Sequence, residues 1–203
     1  MTTTKGRIAG VTTLGAGEPP PTDATLWGSI GDGDHASFTA LFERHAERVW
    51  NYAYRLTASW STADDLLSAT FLAAWRKRGD GVLVRESALP WLYTVAANLA
   101  RTEWRAGRRR QRVLFRLAET AVVADHAQEL ADRSEAEDRL RRVVVAVGRL
   151  PRSEREVARL CLLGEMSTAD AAALLGIAET SVRSRVSRAR TKLRDLTTRT
   201  HDE

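Results

Sequence analysis

Thr180 to Leu196, TSVRSRVSRARTKLRDL, decides how this chain is read, together with the short segment ahead of it, STADAAALLGI (Ser167 to Ile177). On a helix at about 100° per residue, Val182, Val186, Ala189 and Leu193 fall in one narrow apolar stripe, the pattern of a face packed on a small core. Opposite that stripe stand Thr180, Ser184, Ser187, Arg188 and Thr191. Arg183, Arg190 and Arg194 flank one side, and Arg185 and Lys192 the other. No acid interrupts the run from Arg183 to Arg194. Small hydroxyls and one arginine between two rails of positive charge are the chemistry of a helix in a DNA major groove, with the rails on phosphates and the centre on base edges.

A basic run by itself is most often a solvated helix face. The preceding segment changes the balance. Ser167 and Asp170 form an S-x-x-D capping pattern, Ala171, Leu174 and Leu175 give a short apolar face, and Gly176 supplies a turn. Two short helices joined at Gly-Ile-Ala-Glu make a helix-turn-helix, and turn plus basic helix point to DNA. Thr180 or Ser181 is expected to cap the second helix.

The rest of the composition is compatible. The chain has 203 residues, 43% hydrophobic content and a formal charge of +5, and its isoelectric point near 10.0 favours a polyanionic partner. No run approaches the roughly 18 apolar residues of a membrane span, and the N-terminus lacks an apolar signal core. Cys161 is the only cysteine, so an internal disulfide is excluded and a reducing cytoplasmic setting is expected. It lies in an apolar run and reads as a structural thiol.

Working outward, residues 1–33 mix Thr, Gly and Pro without a helical period and are expected to be a disordered extension. Residues 34–112 form a first helical domain. Phe38, Leu41, Phe42, His45, Val49, Tyr52, Ala53 and Leu56 keep helical spacing, and His45 reads as a packed core histidine. Ser61 and Asp64 give a capping pattern for the next helix, whose apolar side is Leu66, Leu67, Thr70, Phe71, Ala74 and Trp75. A loop follows to about Ser87. Pro90 then opens a third helix, which ends in a basic run holding Arg101, Arg105, Arg108, Arg109, Arg110 and Arg112. Residues 113–136 are expected to be a flexible linker, since between Ala118 and Asp138 the acids Glu119, Asp125, Glu129, Asp132, Glu135, Glu137 and Asp138 face only Arg133. Residues 137–197 form the second helical domain, with Leu140, Val143, Val144, Val147 and Leu150 in one stripe and Ser153 with Glu156 as a cap after Pro151. Residues 198–203 are a tail. No strand ladder is visible, so the fold class is all-α. The histidines and the cysteine show no metal-ligand spacing, and no cofactor motif occurs.

Three stretches together resemble the extracytoplasmic-function group of bacterial RNA polymerase sigma factors. They are DDLLSATFLAAWR (Asp64 to Arg76), PWLYTVAANLARTEWR (Pro90 to Arg105), and LPRSEREVARL followed by LLGIAETSVRSRVSRARTKL, in the family's order. The resemblance implies a domain two that grips the β′ coiled coil of core polymerase and binds the minus-ten promoter element. It also implies a domain four that sits on the β flap and binds the minus-thirty-five element. By position, Asp64, Asp65, Leu66, Leu67 and Phe71 match the polymerase-binding helix, and Asn98, Arg101 and Arg105 the helix facing minus-ten DNA. Residues 80–87 match the loop that captures a flipped promoter base. Thr180, Arg183, Ser184, Arg185, Ser187, Arg188, Arg190 and Lys192 match the minus-thirty-five recognition helix. The family's acidic linker threads polymerase channels, and an anti-sigma protein, often membrane-bound, holds many members inactive. Ser68 and Ala69 stand where the family usually has Gln with Glu or Asp, and Ile177 to Ser181 lacks the usual Pro and Gly.

Two other readings compete. A helix-turn-helix regulator that is not a sigma subunit shares the L-x-x-x-E-R-E-V pattern, but its receiver would need alternating strands and helices. An enzyme would need a phosphate loop, HExxH or CxxC, none of which occurs.

Overall fold

The computed structural model describes residues 20–78, 83–118 and 135–198, with side chains for 20–78, 83–105 and 135–196. The described chain is helical, apart from an isolated bridge between Val84 and Ser87. The expected linker residues 119–134, loop residues 80–82, and the side chains of Arg108, Arg109, Arg110 and Arg112 lie outside what is described.

The first half begins earlier than the sequence suggests. Helix α1 spans Asp23–Gly31, capped by the Thr22 hydroxyl, which accepts from the Thr25 amide at 3.2 Å. Leu26, Trp27 and Ile30 bury one side of it, so the expected extension is corrected from residue 23 onward. Helix α2 spans His35–Thr57 and starts at Asp34, whose carboxylate accepts from the amides of Ala36 and Ser37. Its buried face is Leu41, His45, Val49, Tyr52, Ala53 and Leu56, the i, i+4 spacing that drives burial of one side. Helix α3 spans Trp60–Arg76 and is capped by Ser59 rather than Ser61. Helix α4 spans Leu89–Ala118 with Pro90 at its second position, where a missing amide is harmless, and it absorbs residues 113–118 of the expected linker. The four helices pack on one another around Ile30, Leu41, Tyr52 and Leu92. Edge contacts of Phe38 with Phe71 and of Trp27 with Trp91 fill the bundle.

In the second half, α5 spans Glu135–Arg149 and opens with Glu135, Glu137 and Asp138 in its first turn, where acids favour the helix dipole. The last acids of the expected linker therefore start a helix. Helix α6 spans Arg152–Val157 and follows Pro151 without any side-chain cap, so Ser153 does not cap it; Glu156 pairs with Arg152 instead. A single π-helical turn, Ala158–Leu163, continues it. Helix α7 spans Thr168–Leu175, and the Ser167 hydroxyl caps it as expected, accepting from the Asp170 amide at 3.0 Å. Gly176 takes a left-handed φ of 64°, which a side chain would disfavour, and α8 follows over Glu179–Thr198.

The halves touch. Helix α5 and the π turn pack on α2, and α7 packs on α4. Arg55 donates to the Leu163 carbonyl at 3.1 Å and pairs with Glu165 at 2.8 Å, and the Trp60 indole donates to Glu137. Gly164 lies so close to Tyr93 that a Cβ there would fall 2.9 Å from the ring.

Candidate nucleic-acid and polymerase interfaces

Helix α8 is held by Val182, Val186 and Ala189, all buried, so its opposite side must face out. Ser184, Ser187 and Thr191 are exposed on that side, with Arg183 and Arg190 beside them. Arg183, Arg190 and Arg194 rim a shallow groove of about 360 Å³ between α8 and the π turn. Helix α8 starts at Glu179, so Thr180 lies within the helix rather than at its cap. Glu179 accepts from the Thr168 hydroxyl at 2.6 Å and from Arg183 at 2.7 Å. Those two bonds hold its carboxyl below the usual carboxylate range.

The other flank differs from the expected rail. Glu154 on α6 is buried, and Lys192 meets both its carboxylate oxygens, at 2.7 and 2.9 Å. Arg188 approaches the same carboxylate at 3.6 Å. Arg188 is therefore displaced from the centre of the outer face, and Arg185 is half-buried. Cys161 is also half-buried, and burial pushes its thiol up, the opposite of an activated nucleophile.

On α4, Arg101 donates to the Asn98 side-chain oxygen at 2.6 Å, which joins two expected minus-ten residues into one unit. Arg101 and Arg105 look into a cleft of about 610 Å³ between the halves, faced by Arg152, Arg155 and Arg159 of the second half. Burial, with Arg155 and Arg101 near, pulls the Arg159 guanidinium below its ordinary value.

On α3, Asp65 is exposed, Leu67 half-buried, and Asp64 accepts from the Trp50 indole at 2.6 Å. Leu66 and Phe71, expected to contact polymerase, are only 2% and 3% exposed. They build the core beneath the surface. Leu72 and Phe42 reach solvent beside Phe71, as Trp60 does at the start of α3, and Phe42 packs on Phe71 at a ring distance of 4.8 Å. The signal for Leu72 was present, since it stands off the buried stripe Ala63, Leu66, Thr70 and Ala74.

The described part of the loop before α4 holds two consecutive non-glycine residues in the left-handed region. Val84 and Ser87 exchange backbone hydrogen bonds around Arg85 and Glu86, which both adopt left-handed φ values, 51° and 62°. This is a tight turn of the kind that glycine and asparagine normally supply. Behind it, the buried Asp23 carboxylate accepts from the Ala88 amide (2.9 Å), the Ser87 hydroxyl (3.3 Å) and Arg44 (2.7 Å), and one of its oxygens lies 2.7 Å from His45 Nε2. Burial alone would raise this carboxyl, but the bonds from His45, Ala88 and Arg44 prevail and hold it far below the usual range.

Comparison with known proteins follows this geometry. Residues 41–110 match the Sigma-70 region 2 model and residues 140–193 the Sigma-70 region 4 model. The chain is 36% identical to the RNA polymerase sigma factor CarQ of Myxococcus xanthus, across 81% of this chain and 91% of CarQ. It is 32% identical to the ECF RNA polymerase sigma factor SigL of Mycobacterium tuberculosis, across 74% and 83%. A solved structure of CnrH with the cytosolic domain of CnrY superposes with a TM-score of 0.61 at 27% identity, covering 87% of this chain and 97% of that one. The chain belongs to the sigma-70 family, in its extracytoplasmic-function group of RNA polymerase sigma factors. The region 2 match falls on the half where a receiver would have to stand, and the regulator reading is not favoured.

Proposed function

We propose that this chain, which carries no catalytic centre of its own in this reading, joins core polymerase and selects promoters with two faces. Residues 34–112 act as domain two and 137–197 as domain four, joined by the acidic linker. Asp65, Leu67, Leu72 and Phe42 form the domain-two contact with the β′ coiled coil. Asn98, Arg101 and Arg105 serve the minus-ten element, and the outward face of α8 the minus-thirty-five element, with Ser184, Ser187 and Arg190 central and Arg188 at the edge. The observation that carries the reading is the α8 face: hydroxyls and arginines presented outward by a helix whose other side is locked into a helix-turn-helix. Among the described residues no helix is long and apolar enough to cross a membrane, and the cytoplasm is where such a subunit acts. CnrH has been solved with the cytosolic domain of CnrY, and a comparable anti-sigma partner would regulate this chain.

Run-off transcription with reconstituted holoenzyme on a genomic promoter library tests the proposal. Selected promoters should share two elements, and Ser184→Ala with Ser187→Ala should relax only the upstream one. Transcription without shared elements, or no stimulation of core polymerase, would refute it.

A further inference from the structure

Asp23 itself sits outside every segment assigned to DNA or polymerase, while its cluster reaches the loop before α4 through Ser87. It ties three separate pieces of chain into one point: α1 through Asp23 itself, α2 through Arg44 and His45, and the turn ahead of α4 through Ser87 and the Ala88 amide. The Ala88 and Leu89 amides belong to the start of α4, where the first backbone donors lack partners within the helix. Asp23 takes the first and the Ser87 hydroxyl the second, at 3.3 Å. The cluster therefore fixes the direction in which α4 and the turn leave the bundle.

The turn needs such fixing. Two consecutive non-glycine residues in the left-handed region cost about 1–2 kcal/mol each, and strain of this kind persists only where the surroundings over-determine it. The tip, Arg85 and Glu86, makes no hydrogen bond back to α2 or α3 among the described residues; Arg85 only approaches Asp170 of the other half, at 3.6 Å, as an exposed pair. The base of the turn at Ser87 and Ala88 is where it is held, and the holding group is one carboxylate with charge-assisted bonds on several sides.

We infer that Asp23 is a positioning residue for promoter opening: its carboxylate sets the shape of the 83–88 turn and thereby how that turn meets the minus-ten strand. This rests on the reading of residues 80–87 as the base-capturing loop. It gives the segment before α2 a role in melting DNA, distinct from recognition by α8 and from the α3 contact with polymerase. Asp23 need not touch DNA to do this.

The experiment uses full-length holoenzyme carrying Asp23→Asn, Ser87→Ala, or Arg85→Ala. Three affinities are measured: for core polymerase, for a minus-thirty-five duplex, and for a single-stranded minus-ten oligonucleotide. Promoter opening is followed by the fluorescence of 2-aminopurine in the minus-ten element, below the onset of unfolding. Asp23→Asn and Ser87→Ala should each weaken the single-strand affinity and the extent of opening by roughly tenfold, the scale of one lost charge-assisted hydrogen bond. Core and duplex affinities should stay within twofold. If Asp23→Asn does not fold, Ser87→Ala alone decides, because it loosens the turn while leaving the Arg44 and His45 bonds in place. Normal opening in the anchor variants beside a defect in Arg85→Ala would overturn the positioning role and keep the loop reading. Normal opening in all three would remove the loop reading itself. A proportional fall in all three affinities would show the cluster to be structural only.

Discussion

Lys192→Met is expected to destabilise the protein through the buried Glu154 of α6. The Glu154 side chain is 8% exposed, and its strongest partner is Lys192, which is 46% exposed. Removing one partner of a fully buried pair typically costs about 3–5 kcal/mol, because the other charge is left desolvated. Here the ammonium is partly solvated and Arg188 remains 3.6 Å away, so the cost falls to about 1–2 kcal/mol. Methionine preserves the packing of the lysine stem, which isolates the charge. For a chain of this size that corresponds to a fall in Tm of roughly 3–6 °C. Thermal unfolding at pH 7 of wild type, Lys192→Met, Glu154→Gln and the double variant forms the cycle. Glu154→Gln should cost under about 1 kcal/mol, since its former partners can turn to water, and Lys192→Met should then cost almost nothing further. Glu154→Gln should also strengthen non-specific DNA binding at low salt by a few fold, because two cations beside the recognition face are no longer neutralised. Equal costs of Lys192→Met in both backgrounds would refute the pairing argument.

Gly164→Ala should loosen the contact between the halves, because the new Cβ would meet the Leu160 carbonyl at 2.6 Å and the Tyr93 ring at 2.9 Å; the expected loss is about 1–3 kcal/mol, read by thermal unfolding, with a larger radius of gyration in solution scattering. The Asp23 carboxyl lies below its unfolded value, so the folded state binds fewer protons. Its contribution is complete above about pH 5, where the unfolded group is ionised as well, and is lost as pH falls below the ordinary carboxylate range. The Tm gap between wild type and Asp23→Asn should therefore narrow on acidification below about pH 4, and a gap that widens there would contradict the assignment. Leu72→Ser should lower core-polymerase affinity with little change in stability, whereas Phe71→Ala should cost about 3–5 kcal/mol of stability; parallel binding and unfolding measurements separate the two.

What the sequence revealed depended on how local the signal was. The α8 stripe was legible because Val182, Val186 and Ala189 and the basic residues around them are set by one helical period, and the Ser167 cap because donor and acceptor lie three residues apart. Arg188 was placed at the centre of the face by the same period, yet a helical wheel carries no neighbours. The residue that draws it aside, Glu154, stands on α6 and becomes adjacent only through folding. The motif around Asp64 to Arg76 marked one helix, but a motif match carries no burial, so the expected set joined the buried Leu66 and Phe71 to the exposed Asp64 and Asp65. Helix α1 was hidden for a related reason. Its apolar face is just Leu26, Trp27 and Ile30, within a Thr- and Pro-rich context, and the partners of Asp23 lie 21 to 65 residues away.

The contact between the halves bears on how such a chain reads DNA. Arg101 and Arg105 face Arg152, Arg155 and Arg159 across the cleft, with Glu156, paired to Arg152, as a partial counter-charge, so closure still gathers an excess of like charge, which opposes it. The ion pairs that favour closure are exposed: in Arg55 with Glu165 the side chains are 34% and 69% accessible, in Arg85 with Asp170 60% and 37%. Pairs of this kind contribute about 0–1 kcal/mol each. Apolar packing adds to these, since Leu56 and Tyr93 of the first half share one buried cluster with Val147 and Leu163 of the second, and the Arg55 bond to Leu163 and the Trp60 bond to Glu137 also cross. The closed arrangement is thus held by apolar packing and a few directed bonds against a local repulsion of like charge. Arg101 and Arg105 are both exposed, so a polyanion that engages them from outside the cleft relieves that repulsion. Binding of a polyanion at these arginines and the approach of the two halves are therefore coupled through the charge they share.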